Sequence, residues 1–121
     1  MPIISKQSAE HYTWGLPPSP VCDGWHLVST PALSIIEERL PPGASEIRHA
    51  HRHAHQFFFV LEGEFTLEVE GSTFLLHPGE GLEVAPGKHH QAFNLSSEPV
   101  RILVTSQPPS HGDRIVSAPS A

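Results

Sequence analysis

Residues 43–63 read GASEIRHAHRHAHQFFFVLEG: four histidines on alternate positions, His49, His51, His53 and His55, then Gln56 and an apolar run from Phe57 to Leu61. Along an extended strand successive side chains point to opposite faces, so Ile47, His49 and His51 share one face. With Ile47 turned into a core, both imidazoles turn inward as well, about 7 Å apart along the strand. That spacing lets two rings converge on one ion, and imidazole is the commonest protein ligand for divalent transition metals. A second histidine pair, His89 and His90, follows Pro86-Gly87. The same alternation groups His90, Ala92 and Asn94 on one face and turns His89, Gln91 and Phe93 the other way.

On either side of this stretch, proline and glycine recur too often for helices: Pro17-Pro18, Pro41-Pro42-Gly43, Gly63, Gly71, Pro78-Gly79, Pro86-Gly87 and Pro108-Pro109. Short strands joined by turns fit such punctuation, which predicts an all-β chain. The expected strands are Leu33 to Leu40, Glu46 to His51, Phe57 to Leu61, Phe65 to Val69, Phe74 to His77, Leu82 to Val84, His90 to Leu95 and Val100 to Thr105. Phe65 to Glu70 alternates most cleanly, and Glu70-Gly71-Ser72-Thr73 reads as the turn of a hairpin. Phe57 to Leu61 is apolar on both faces, which suits a central strand covered on each side, or covered by a second subunit. The 121 residues make one domain: an N-terminal arm over residues 1–24, a barrel over 25–114 and a frayed tail over 115–121.

Composition narrows the function. Thirteen acidic residues against seven basic ones give no footprint for nucleic acid. A lone cysteine, Cys22, excludes an intrachain disulfide and suits a reducing cytoplasm. Met1 to Trp14 lacks the basic-then-apolar order of a secretory signal. No stretch approaches the roughly twenty apolar residues of a membrane helix.

Two spacings then match a known family. The first is Gly43-x5-His49-x-His51-x4-Gln56-x6-Gly63, and the second is Gly79-x5-Ala85-x-Gly87-x2-His90-x3-Asn94. They resemble the two motifs of the cupins, with a 15-residue gap between them as in small single-domain microbial members. The resemblance implies a double-stranded β-helix, a jelly-roll barrel with a metal inside near one mouth. Carried over position by position, it implies His49, His51 and His90 as ligands, with Gln56 where the family usually has glutamate. Ala85 stands where the second motif usually has proline, although Pro86 follows at once. Gln56 either coordinates as a neutral fourth ligand or stands off and leaves open positions. The metal expected is Fe, Mn, Ni or Zn, since histidine nitrogens suit them all. The implied function is a small-molecule metalloenzyme, dioxygenase- or isomerase-like, acting on a small, anionic ligand. The alternative is a module that binds or senses a metabolite without transforming it. A homodimer is also expected, because a second copy commonly buries exposed strand edges and apolar faces.

Other residues read more plainly. His53 and His55 lie at a turn and His89 faces away, so all three are expected at the surface. His111-Gly112-Asp113-Arg114 offers a His–Asp pair for general base work, but a turn closing the last strand explains it as well. Arg48 should point outward into an ion pair, and Arg101 and Lys88 are ordinary surface charge. Trp14 and Trp25 should pack on the barrel, Phe57, Phe58 and Phe59 in the core, and Cys22 should be an inert thiol.

Overall fold

Turn-forming residues at short intervals leave room only for strands. The computed structural model, which describes residues 2–117, contains no helix among them. The strands are β1 (Glu10–Trp14), β2 (Cys22–Ser29), β3 (Ser34–Leu40), β4 (His49–His51), β5 (His55–Glu62), β6 (Phe65–Val69), β7 (Ser72–Leu76), β8 (Gly81–Val84), β9 (His90–Phe93), β10 (Val100–Gln107) and β11 (Arg114–Val116). They form a six-stranded sheet, β1-β2-β3-β10-β5-β8, and a five-stranded sheet, β11-β4-β9-β6-β7. Every pairing is antiparallel. This is the expected double-stranded β-helix.

The alternation read from sequence sorts the core. Along β5, Gln56, Phe58 and Val60 are buried while His55 and Phe57 are exposed. Phe65 and Leu67 on β6 meet Val60, Val100 and Ile102 between the sheets, all at 0–1 % exposure. Each large apolar side chain buried this way stabilises the fold by about 1.5–3 kcal/mol.

Several expectations need correction. The turn between β6 and β7 is only Glu70-Gly71, because Val69 pairs with Ser72 and puts Ser72 and Thr73 in a strand. Both turn residues have positive φ, 49° and 90°, which Gly71 adopts without strain. The run Phe57 to Leu61 lies one strand from the sheet edge, between β10 and β8, and its outer face is uncovered in the monomer. Phe57 is 41 % exposed and stacks on Phe59, so of the three phenylalanines only Phe58 belongs to the core cluster.

The expected arm is largely sheet. Glu10–Trp14 pairs with Cys22–His26, so β1 and β2 extend the six-stranded sheet. In the expected tail, Ile115 and Val116 pair with Ala50 and His49; residues 118–121 lie outside the described residues. Glu10–Trp14 is apolar only at every second position, which a short edge strand permits. Cys22 is fully buried, and burial pushes its thiol up to about 12, consistent with an inert role.

Candidate metal centre

His49 and His90 are direct cross-strand partners on β4 and β9, and His51 lies two residues along β4 on the same face. The ring centroids are 4.8 Å apart for His49 and His51, 4.5 Å for His49 and His90, and 5.6 Å for His51 and His90. One nitrogen from each ring falls within 4.8 Å of the others, and all three residues are buried. Sequence reasoning named these three, and the fold brings them together.

The backbone selects which nitrogen is offered. Nδ1 of His49 donates to the Ile47 carbonyl at 2.7 Å, Nδ1 of His90 to the Lys88 carbonyl at 3.0 Å, and Nδ1 of His51 to the Asp113 carbonyl at 3.3 Å. A carbonyl oxygen only accepts, so in each ring the proton sits on Nδ1 and the Nε2 lone pair is free. Carbonyl contacts of this kind fix the tautomer and ring direction of metal-binding histidines. Arg114 approaches His49 Nδ1 to 3.2 Å, but it donates instead to the Ile47 carbonyl, also at 3.2 Å.

Protonation points the same way. Burial pulls His49 down to about 3, reinforced by the charges of Arg114, His90 and His51. Burial likewise lowers His51 and His90. Three neutral imidazoles packed this closely are ready-made ligands, because no proton must leave before an ion enters. The donor set therefore fits a divalent transition metal. His90 Nε2 is buried without any hydrogen-bond partner, an uncommon cost that a bound cation would remove.

Gln56 faces the same interior, two residues before Phe58, whose ring meets His90 edge-on at 5.8 Å. Its Nε2 donates to Ser106 Oγ, directly opposite on β10, at 3.0 Å. Its Oε1 is buried with no partner, leaving the harder donor atom free.

The remaining histidines are elsewhere. His53 is exposed, His55 pairs with Glu83 at 2.6 Å, and His89 meets Ser117 Oγ at 2.6 Å. The His111–Asp113 pair does not form. The Asp113 carboxylate instead accepts from the backbone N–H groups of Arg52, His53 and Ala54, each at 2.9 Å, and fastens the loop after β4. Arg48 points outward into a bidentate pair with Glu68, at 2.6 and 3.1 Å, as expected.

Ile47 does not turn inward with His49. It is 43 % exposed, and regular pairing on this strand begins only at His49. Glu46 turns in instead, its N–H bonded to the Ala92 carbonyl at 3.1 Å and its Oε1 to the Ala92 N–H at 3.0 Å. A cavity of about 720 Å³ opens beside His49, walled by Tyr12, Glu38 and Glu46 among others, with Arg114 and His111 at its C-terminal side. Sequence reasoning missed this wall. The available signal was Glu38, which alternation places on one face with Ile36 and Leu40.

Comparison with known proteins agrees with the geometry. The chain is 28 % identical over 81 residues to an uncharacterised protein of Methanocaldococcus jannaschii, covering 66 % of this chain and 65 % of that one, so it spans under two thirds of this relative. Among solved structures, a predicted oxalate decarboxylase from Thermotoga maritima superposes with a TM-score of 0.79 at 18 % identity, over 88 % of this chain and 99 % of the other. A Klebsiella pneumoniae protein with a double-stranded β-helix domain superposes with a TM-score of 0.75 at 20 % identity, over 97 % of both chains. At such identities the likeness concerns fold alone. The sequence model of the cupin domain, however, matches residues 36–106, a span that holds both histidine motifs and more than half of the chain, and the protein therefore belongs to the cupin family.

Proposed function

We propose that this cupin is a small-molecule metalloenzyme, dioxygenase- or isomerase-like, with a divalent transition metal held by His49, His51 and His90 and completed by Gln56. One observation carries the reading. Three neutral imidazoles, each with Nδ1 tied to a carbonyl and Nε2 left free, bring one ring nitrogen apiece within 4.8 Å of the others, and His49 also lines a cavity of about 720 Å³. That volume lies within the roughly 300–1,000 Å³ of small-molecule sites.

When bound, such an ion supplies Lewis acidity at a ligand oxygen. An all-neutral donor set leaves its double positive charge uncompensated, which favours an anionic ligand. Arg114 supports the same preference: it lines the cavity and forms no ion pair among the described residues. The chain's own work is to bind and orient. Asp113 and Ile47 hold two of the rings through their carbonyls, and Phe58 closes the apolar side behind His90. The exposed stack of Phe57 and Phe59 is the surface we assign to a homodimer, which the solution mass tests.

Elemental analysis of the protein as purified is the first test, followed by oxygen uptake and product analysis with a panel of small organic acids and phenols. One equivalent of a transition metal together with turnover supports the reading. Absence of stoichiometric metal overturns it, and tight metabolite binding without turnover replaces it with the sensing role.

A further inference from the structure

The cavity beside His49 has an acidic wall that the histidines do not explain. Tyr12, Gly24 and Glu38 are register partners in one row across β1, β2 and β3, and the row runs on through Ile102 to Val60 of the core. Glu38 thus places a carboxyl on an inward-facing row. The Tyr12 ring lies over Gly24 so closely that any Cβ there would collide with it. Without that side chain in the way, Tyr12 Oη donates to Glu38 Oε2 at 3.0 Å. Glu46 enters from the opposite sheet, its Oε1 held by the Ala92 N–H at 3.0 Å. Both residues line the cavity together with His49, which is 5 % exposed.

The surroundings set their charge. Burial pushes Glu38 up to about 7, although the Tyr12 hydrogen bond pulls the other way. Burial, then the charge of Glu38, pushes Glu46 up to about 8 against Arg114 and the Ala92 N–H. Tyr12 and Cys22 are raised by burial and also by these same two carboxylates, so the pair is close enough to interact. The other titratable groups on the cavity wall are Glu10 on β1, His26 on β2, His49, His111 and Arg114. Two interacting carboxyls that titrate near neutrality lose their protons in separate steps, so one proton is held between them over the intervening range. Carboxyls tuned in this way are matched to acid–base work at physiological pH.

We propose that Glu38 and Glu46 form an acid–base pair that exchanges a proton with a hydroxyl or enolisable carbonyl compound seated in the cavity. This rests on the cavity being the ligand space of the metal centre. The ionised member takes a proton from the ligand's O–H or C–H bond. An O–H bond forms on the carboxylate, and the ligand keeps the electron pair. The protonated member returns a proton to a second ligand atom, so no oxidant, reductant or co-reactant is consumed. An anionic ligand would raise both carboxyls further, so the pair still keeps one proton to return when the cavity is filled.

Carbodiimide coupling to glycinamide tests the pair on the purified, metal-analysed protein at pH 7.5, because carbodiimide activates protonated carboxyls. An ordinary glutamate is protonated only about one part in a thousand at that pH. Peptide mass spectrometry should place at least about tenfold more label on Glu38 and Glu46 than on any other of the 13 acidic residues. Glu38→Gln should also lower labelling at Glu46, since Glu38's charge no longer raises it, and Glu46→Gln should lower labelling at Glu38. Label that follows surface exposure, or labelling of either member unmoved by loss of the other in a folded variant, overturns the proposal. Metal-free protein that still labels at both sites would sink the metal reading and leave the pair standing.

Discussion

On the five-stranded side, His49, His51 and His90 come from two neighbouring strands and are aimed by backbone carbonyls, and His49 is the one that lines the cavity. On the six-stranded side, Tyr12 and Glu38 come from strands separated by a glycine and are aimed by each other. The histidine wall is rigid because every ring is tied to main chain. The acidic wall depends on a ring lying flat where a side chain is missing. Burial acts on the two kinds of group in opposite senses: it lowers the proton affinity of the imidazoles and raises that of the carboxyls. One cavity is thus bordered by the His49 imidazole and by two carboxyls, Glu38 from one sheet and Glu46 from beside the other.

Five substitutions break or sharpen that contrast. The largest effect falls on the histidine wall: His49→Ala and His90→Ala should each abolish stoichiometric metal uptake while circular dichroism keeps its β signature. One retained equivalent in either variant would remove that residue from the ligand set. Next, Gln56→Glu should tighten metal binding about tenfold, or about 1.4 kcal/mol, by adding a negative donor; a competition titration with a chelator reads this. Unchanged affinity would place the side chain outside the ligand set.

On the acidic wall, Gly24→Ala should destabilise the fold by about 1–3 kcal/mol, since the new methyl group must displace the Tyr12 ring. Metal content should stay as in wild type, and chemical denaturation beside elemental analysis separates the two walls. The smallest effect belongs to Glu46→Gln. A carboxyl raised from 4.5 to about 8 stabilises the fold fully below 4.5 and loses that contribution as pH rises through the folded value. Glutamine carries no such dependence, so its Tm should gain on wild type by several degrees between pH 6 and pH 9. A gap that stays constant over that range would mean Glu46 ionises in the ordinary way.

The histidine wall was legible in the sequence because period-two geometry and two fixed spacings place His49, His51 and His90, and the antiparallel register delivers them to one face. The acidic wall was not, for two physical reasons. Regular alternation beginning at Glu46 sends that residue outward with Arg48, whereas the chain is irregular until His49, which reverses Glu46 and Ile47. The segment before residue 25 is rich in proline and reads as an arm, yet Glu10–Trp14 finds a partner in β2 and completes the cavity. Strand pairing over such distances is decided by the partner, not by the local sequence. Glu38 itself was visible as a charge on an apolar face, and its meaning lay in Tyr12, two strands away.

Asp113 carries a consequence for how the centre is assembled. Its carbonyl aims His51 across 62 positions of sequence, and its carboxylate clasps the loop that follows. Until β11 has docked, His51 lacks the carbonyl that directs its ring, whereas His49 and His90 take theirs from Ile47 and Lys88 close by in the chain. A polypeptide in which that strand had not docked would present the three-ring cluster with one member unsteered.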